Sequence, residues 1–290
     1  MLFITGITGL TGRFLLDALR EVGYTEVMRC LVREHSDVSW IEDDRVVLHK
    51  GDVNDVDSLI RGLHGATGVI HLVNIRSSPQ IIQACRATGV RRVVFVNTTG
   101  VYSKYQKYSA DYKRLEHGIL SSGLDYTIIR PTMIYGNHRD KNIHKLVKII
   151  DKYPVIPIIG AGTGLMQPIY AQDLARVIAA AYINPGSIGK AYNVAGKRPI
   201  KCREVMELIA SRLGKRRFFI RIPYFMALLA GYAGDAIPNG LIDSEKVKRL
   251  QEDKVFDYGL AASELGFAPR SFEEGVEQEI SDLRKAGIIG

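Results

Sequence analysis

The chain has 290 residues, of which 46% are hydrophobic and 24% charged, and its mean hydropathy is near zero. This composition excludes a disordered, collagen-like or disulfide-stapled protein and is typical of a soluble globular one. The net charge of +8 arises from 39 basic residues spread along the chain beside 31 acidic ones. A phosphorylated small ligand accounts for this excess as well as a nucleic acid does, and we expect the small ligand.

Short apolar runs predict buried strands over residues 2–5, 27–32, 46–48, 69–73, 93–96 and 126–129. Apolar residues at helical spacing separate these runs, as with Leu15, Leu19 and Val22. Ser78 followed by Pro79 predicts the cap and the first residue of one such helix. The alternation indicates the α/β class, with a doubly wound parallel sheet and a ligand crevice at the carboxyl ends of its strands.

The rhythm changes after Pro131, where a helix is expected over 173–182 and a strand over 191–194. We expect residues 1–155 to form the sheet domain. Residues 156–290 form mostly a smaller C-terminal lobe, with part of 165–195 returning to the sheet.

The apolar stretch 222–234 is too short and too interrupted to span a membrane. We expect it to be buried in the lobe or in a homodimer contact, with attachment to a membrane surface as the weaker alternative. Because the first strand begins at Leu2 with no basic region before it, we expect no signal peptide and a cytoplasmic protein.

The segment Thr5-Gly6-Ile7-Thr8-Gly9-Leu10-Thr11-Gly12 lies between the first predicted strand and the first predicted helix. Gly6 permits a tight turn, Gly9 lets the backbone approach a pyrophosphate, and Gly12 lets helix and strand pack closely. The N–H groups at the start of a helix carry about half a positive charge, which attracts phosphate. The loop therefore predicts a dinucleotide phosphate site.

The Gly-x-x-Gly-x-x-Gly spacing resembles that of the extended and atypical short-chain dehydrogenase/reductases, and further segments match in order at 30–33, 51–55, 69–74 and 124–131. The chain is similar to NAD-dependent epimerase/dehydratase-like members, and also to NmrA-like and complex I accessory-subunit-like atypical members. The resemblance implies a Rossmann fold with a smaller substrate lobe, and an NAD(P) cofactor. The cofactor-binding residues that it and the loop imply are Gly6, Thr8, Gly9, Leu10, Thr11, Gly12, Arg33, Asp52, Val53, Asn74 and Pro131.

Arg33 follows the second predicted strand, where an acidic residue would bind the ribose 2′-hydroxyl of NAD(H). A guanidinium at this place holds a 2′-phosphate instead, so NADP(H) is favoured, while Glu34 keeps NAD(H) open. By resemblance Asp52 meets the adenine amino group and Asn74 lies along the nicotinamide side. Asp52 is equally interpreted as a turn residue of its loop.

Family members transfer a proton through a Tyr hydroxyl, which a Lys one helical turn later activates, and a Ser or Thr hydrogen-bonds the same substrate oxygen. The resemblance makes Thr98 that hydroxyl, with Thr99 as the fallback, and Tyr108 the acid/base. Tyr112 then occupies the position of the Lys, so the Tyr-x-x-x-Lys motif is absent. Lys113 is the replacement candidate, although one residue rotates a side chain by about 100° around a helix. Tyr112 as the acid/base, or both tyrosines as structural residues, stay open.

In the C-terminal half, 158–162 and 167–175 resemble the segment that lines the substrate site of nucleotide-sugar epimerases. Met166 stands where those enzymes usually carry an Arg, and Asp173 is expected to cap a helix. Arg139 or Lys141 is a candidate phosphate clamp. Basic and aromatic residues interleave over 104–114 as in nucleic-acid platforms, but no RNA-binding motif accompanies them. No metal site is expected, since the His residues show no ligand spacing.

Two functions follow from these observations. The first is an NAD(P)-dependent oxidoreductase or epimerase that transfers hydride on a nucleotide-sugar-like or carbonyl substrate, with Thr98, Tyr108 and Lys113 as catalytic residues. The second is a non-catalytic protein that binds NADPH for structure or sensing, which the missing Lys and Met166 favour.

Overall fold

The structure, a computed structural model, describes residues 1–140, 142–237 and 243–290. Its strands are β1 (Leu2–Thr5), β2 (Met28–Val32), β3 (Val46–Lys50), β4 (Gly68–His71), β5 (Arg92–Val96), β6 (Asp125–Pro131), β7 (Ile134–Tyr135), β8 (Val155–Ile159), β9 (Leu165–Met166), β10 (Ile169–Tyr170), β11 (Lys190–Val194), β12 (Ile200–Lys201) and β13 (Phe218–Ile222). Its helices are α1 (Gly12–Glu21), α2 (Val56–Leu63), α3 (Ser78–Thr88), α4 (Ser109–Leu120), α5 (Ile143–Lys152), α6 (Ala171–Ile183), α7 (Cys202–Arg212), α8 (Tyr224–Gly234), α9 (Ser244–Arg249), α10 (Gly259–Leu265) and α11 (Phe272–Lys285).

Seven strands form a parallel sheet in the order β11-β6-β5-β4-β1-β2-β3. In the centre, Ile4 of β1 lies opposite Cys30 of β2 and Ile70 of β4. The strand order reverses at β1, so the loops that follow β1 and β4 diverge to opposite faces. This opens a crevice at the carboxyl ends of those two strands.

Helices cover both faces of the sheet, which confirms the predicted doubly wound α/β class. One face packs against α1, α6 and α10, and the other against α2, α3 and α4. Each predicted strand overlaps an observed one, because buried parallel strands read as continuous apolar runs. Ser78 is the first residue of α3 rather than its cap, since Pro79 needs no N–H partner at the second helical position and Ser77 precedes the helix without a side-chain cap.

The remaining core lies in the C-terminal half. There α5, α7 and α11 pack around Tyr135, Tyr170 and Ile200. The structure thus places α5, which precedes residue 155, in the smaller lobe. It places α6 and β11 with the sheet, since α6 contacts α1 and β11 pairs with β6.

The helix α8 is mostly exposed, so the expected burial in the lobe is not observed, and burial in a homodimer contact stays a prediction. Within α8 only Ala227 and Gly231 are buried. The described element that packs most extensively against the helix is α9, and it leaves the other side chains at least partly exposed. None of the described helices is long and apolar enough to cross a membrane.

Candidate functional site

The glycine loop forms a tight turn between β1 and α1. Gly6 has a φ of +83°, which L side chains rarely adopt, and its carbonyl accepts a hydrogen bond from the Gly9 amide at 3.0 Å. A Cβ at Gly12 would lie 2.3 Å from the carbonyl oxygen of Ile7. The loop therefore needs these glycines, and its backbone is open to a ligand.

The first turn of α1 offers backbone N–H groups to an anion. Among the described residues, the amides of Leu10, Thr11 and Gly12 bond to no acceptor, and Thr11 provides no side-chain cap. Such amides carry partial positive charge and bind phosphate. The cradle thus fits the pyrophosphate of NAD(P)H.

Two arginines beside the loop add positive charge. Arg139, one of the two candidate phosphate clamps, donates to the carbonyl of Thr8 at 3.1 Å. Arg13 donates to Asp37 at 3.2 Å and lies 4.9 Å from the ring centroid of Trp40. Burial and then the nearby Arg139 lower the pKa of Arg13, and the Nε atoms of both arginines are buried without a partner in the described part of the chain. The other candidate clamp, Lys141, lies outside the described residues.

Crowded guanidinium groups with unsatisfied N–H atoms favour an anion close by. Arg13 was not predicted as a contributor, although its position immediately after Gly12 was a usable signal.

Arg33 lies at the carboxyl end of β2, exposed beyond Val32. Its guanidinium makes no ion pair within residues 1–140, 142–237 and 243–290, whereas Glu34 accepts a hydrogen bond from Lys50 at 2.7 Å. The Arg33 guanidinium is therefore available to a ligand, whereas the Glu34 carboxylate is paired with Lys50.

The other expected cofactor residues lie at strand ends. Asp52 accepts hydrogen bonds from the backbone and side chain of Asn54, so it has the role of a turn residue in this structure, and the half-buried Val53 lies beside it. Asn74 follows β4 and caps a short 3₁₀ turn over Ile75–Ser77. Pro131 ends β6.

The two candidate hydroxyls differ in what they can still do. Thr98 accepts a hydrogen bond from the Gly100 amide at 3.0 Å, which leaves its own O–H free to donate. Thr99 is buried and donates to the carbonyl of Pro131 at 3.2 Å. Thr98 is therefore better suited to hold a substrate oxygen.

Tyr108 lies at the head of α4 between two cations. The guanidinium carbon of Arg76 is 4.1 Å from its ring centroid, and Nζ of Lys107 is 4.9 Å away. Hydrogen bonds with Lys107 and Arg76 lower the pKa of the Tyr108 phenol. Lys113 lies on the exposed side of α4 and is not among these contacts.

Arg76 and Lys107 were not predicted, because the cation that activates Tyr108 was expected on the same helix as Tyr108. Arg76 belongs to the 3₁₀ turn after β4, which packs against α4 only in the folded chain.

Tyr112 is a core residue. It is buried within the cluster formed by α2, α3 and α4, and its ring centroid is 6.0 Å from the guanidinium carbon of Arg76. The next turn of α4 carries Glu116, which receives hydrogen bonds from Arg130 and Asn97. This buried network anchors α4 to the ends of β5 and β6.

A cavity of about 580 Å³ opens beside Thr98, between the segments 98–106 and 249–256. The carboxylate of Glu252 closes it by accepting hydrogen bonds from Ser103 Oγ at 2.7 Å and from the Lys104 amide at 2.6 Å. Although burial opposes it, these bonds keep the pKa of Glu252 below its ordinary value. Thr132, Met133 and Met166 line the cavity from the lobe side. This is the candidate substrate cleft.

Two residues of the predicted substrate segment have structural roles. Asp173 is buried, and its carboxylate accepts hydrogen bonds from Nε and Nη2 of Arg270. It does not cap the N-terminus of α6. The capping expectation for Asp173 was therefore wrong, because Arg270 holds the carboxylate. Gln167 is buried and ties the carbonyl of Gly196 to the amide of Phe256.

Comparisons with known proteins agree with this geometry. A family model described as NAD(P)H-binding matches residues 6–185. The chain is 23% identical to NADH dehydrogenase (ubiquinone) 1 alpha subcomplex subunit 9, mitochondrial, of Arabidopsis thaliana, over 98% of this chain and 78% of that one. It is 22% identical to N-acetyl-alpha-D-glucosaminyl-diphospho-ditrans,octacis-undecaprenol 4-epimerase of Escherichia coli O157:H7, over 79% and 81% of the two chains.

The fold is similar to that of a nucleoside-diphosphate-sugar epimerase from Pseudomonas aeruginosa, with a TM-score of 0.79 at 19% identity over 100% of this chain and 99% of that one. These similarities confirm the resemblance predicted from the sequence. The family match covers more than half of the chain and includes the glycine loop, and the chain belongs to the NAD(P)H-binding family.

Proposed function

We propose that the protein is an NADP(H)-dependent oxidoreductase or epimerase that moves a hydride to or from a carbonyl or nucleotide-sugar-like substrate. The observation that carries this proposal is the Tyr108 phenol between Arg76 and Lys107, next to the ends of β4 and β5. An ordinary phenol has a pKa of about 10 and is a poor base at neutral pH. Adjacent cations stabilise the phenolate and so lower the pKa of such a phenol.

The roles of the protein groups follow from their hydrogen bonds. NADP(H), when bound, supplies or accepts the hydride. In the proposed reaction Tyr108 donates a proton to the reacting oxygen or removes one from it, and Thr98, which lines the cleft and keeps a free O–H, donates to the same oxygen. Arg76 and Lys107 lower the pKa of Tyr108, which is the role of the Lys that the motif lacks here. Lys113 is exposed on α4, and the proposal gives it no role.

The choice of NADP(H) rests on the charges around the glycine loop. Arg33 is free at the end of β2, and Glu34 is paired with Lys50. A 2′-phosphate at this place gains a charge-assisted hydrogen bond from Arg33. Glu34, the acidic residue that would bind a bare 2′-hydroxyl, is already paired with Lys50.

The substrate is argued from the candidate cleft. Met166 stands in its wall where sugar-nucleotide enzymes usually carry an Arg, while Lys104, Arg249 and Lys254 supply cations elsewhere in the lining. The Escherichia coli relative is named for epimerisation of a lipid-linked sugar. We therefore propose a substrate that reacts at a carbonyl or a sugar-like group, nucleotide-sugar-like molecules included.

A second candidate is a non-catalytic NADPH-binding protein. Tyr112 in place of the family's Lys favours it, and the Arabidopsis relative is named as a subunit of NADH dehydrogenase. Both candidates predict cofactor binding, and they differ in turnover.

The cofactor is tested by thermal shift with NADPH, NADP⁺, NADH and NAD⁺. Selective stabilisation by the phosphorylated pair is expected in the wild type and lost in Arg33→Ala, because a ligand stabilises by RT ln(1 + [L]/Kd). Arg114→Ala, an exposed arginine of α4, is the matched control. Equal shifts from all four dinucleotides, or an unchanged preference in Arg33→Ala, would refute the selectivity.

Turnover is tested by following the absorbance of the nicotinamide with a panel of ketones, aldehydes and sugar derivatives. Activity that falls by about 10²-fold or more in Tyr108→Phe, with cofactor binding intact, supports the enzyme. Tyr153→Phe in the exposed part of the lobe is the control. Cofactor binding with no turnover across the panel supports the second candidate.

A further inference from the structure

The helix α8 exposes an apolar surface. From Tyr224 to Gly234 it contains no charged residue, and only Ala227 and Gly231 are buried. Phe225 is 64% exposed and Leu229 is 66% exposed. A monomeric soluble protein rarely shows such a helix face to water without a partner.

The strand that leads into α8 extends this apolar surface. In the parallel pair of β8 and β13, Phe218 lies opposite Val155 and Ile220 opposite Pro157. Opposed residues of paired strands project to the same side, and all four are exposed, with Phe218 at 75%. We define the α8 patch as the exposed side chains Phe218, Ile220, Phe225, Met226, Leu229 and Tyr232.

The patch has basic neighbours. Residues 215–234 contain Lys215, Arg216, Arg217 and Arg221 and no acidic residue. Lys215 is paired with Asp151, whereas Arg216 and Arg221 are exposed and have no ion pair in the described ranges. On α5, which precedes β8, two more exposed cations are likewise unpaired there, Lys145 and Lys148.

We propose that the α8 patch docks the protein on the surface of an anionic phospholipid bilayer. Exposed Phe, Leu, Met and Tyr side chains insert at the boundary between headgroups and acyl chains, and adjacent Lys and Arg side chains are attracted to anionic lipid. The helix has 11 residues and is too short to span, so it lies in the plane of the surface.

The charges favour a bilayer over a second copy of the chain. A twofold dimer would place this face on itself and bring its unpaired arginines, Arg216 and Arg221, close to those of the partner. Like charges across an interface oppose association. An anionic surface neutralises them instead.

A pocket beside α8 shares part of its wall with the candidate substrate cleft. It has a volume of about 430 Å³ and is lined by Tyr224 of α8 together with Ile158, Met206 and Leu250. Its wall includes Gln251 and Asp253, which also line the cleft.

The test measures cosedimentation of the purified full chain with vesicles. One vesicle is phosphatidylcholine, and the other contains equal parts of phosphatidylcholine and phosphatidylglycerol. The wild type is expected to bind the anionic vesicles, to bind the neutral ones at least tenfold more weakly, and to dissociate as salt is added.

Two variants separate the apolar and charged contributions. Phe225→Ser/Leu229→Ser and Arg216→Gln/Arg221→Gln are each expected to weaken binding by about tenfold or more. Leu120→Ser/Leu260→Ser, which changes two exposed leucines outside the patch, is the control and should bind like the wild type. Thermal unfolding of each variant excludes a folding defect.

Three results would overturn the proposal. The first is that the wild type does not bind anionic vesicles. The second is that the control variant loses as much vesicle binding as the patch variants. The third is a concentration-dependent dimer in sedimentation velocity that Phe225→Ser/Leu229→Ser dissociates, together with no binding to vesicles. Vesicle binding needs neither cofactor nor turnover, so its failure is distinct from failure of the proposed function.

Discussion

Arg76 lies over the face of the Tyr108 ring, with its guanidinium carbon 4.1 Å from the ring centroid. Lys107 approaches the same ring at 4.9 Å, and the two cations belong to different elements. The positive charge that a Tyr acid/base needs is thus supplied from the turn after β4 and from the residue before Tyr108. The absence of Lys at position 112 does not leave the phenol without a cation.

Replacing Arg76 with Gln should raise the pKa of Tyr108, because the neutral phenol is then favoured over the phenolate. The measurement is an NMR titration of protein labelled at the Tyr ζ carbon, with the Tyr108 signal assigned from its loss in Tyr108→Phe. If the enzyme is active, the limb of its pH profile that reports this group moves to higher pH in the same variant.

Arg114→Gln is the matched control, since Arg114 lies on α4 and is exposed. The titration of Tyr108 should be unchanged there. A shift caused by Lys113→Met and none by Arg76→Gln would restore Lys113 as the partner and contradict the assignment to Arg76.

Tyr112→Lys restores the family motif but should destabilise the protein by about 2–4 kcal/mol. The new ammonium would replace a ring packed in the core and would lie near the Arg76 guanidinium. Urea denaturation of both single variants and of Tyr112→Lys/Arg76→Gln measures the coupling. We expect the double variant to lose less stability than the sum of the two single ones. Additive losses would show that the two cations do not meet.

Gly12→Ala should abolish cofactor binding and destabilise the fold, because its Cβ would lie within 2.5 Å of two backbone oxygens. The comparison is Gly118→Ala in the exposed part of α4, where a Cβ meets nothing within 4 Å. That change should stabilise by about 0.5–1 kcal/mol, since Gly is a poor helix former. Thermal unfolding with and without NADPH reads out both. Unimpaired NADPH binding by Gly12→Ala would refute the proposed cradle.

The parallel sheet and the glycine loop could be predicted because each depends on residues that are close together in the sequence. Apolar runs specify buried strands, and Gly6, Gly9 and Gly12 follow a spacing that the turn geometry requires. The partners of Tyr108 and Asp173 could not be predicted, because Arg76 and Arg270 reach them from distant parts of the chain. The sequence left open whether α8 is buried in the lobe or exposed for a homodimer contact, because an apolar helix has the same sequence pattern in both cases.

Glu279→Gln should change how stability depends on pH. Glu279 of α11 is fully buried, and burial with the facing Asp140 carboxyl raises its pKa to about 11. In the unfolded chain a Glu titrates near pH 4.3, so between these values the folded state binds the extra proton. Stability from the neutral carboxyl is therefore fully present below about pH 4 and falls as pH rises between the two values, by up to about 1.4 kcal/mol per pH unit.

Gln cannot ionise, so Glu279→Gln should gain stability over the wild type as pH rises from 5 to 8. The free energy of unfolding in urea, measured across this range, gives the two slopes. Glu277→Gln, on the same helix with a largely exposed side chain, is the control and should follow the wild type. Parallel curves for Glu279→Gln and the wild type would mean that Glu279 is ionised in the folded protein. An ionised Glu279 buried within the lobe would require a compensating cation beside it.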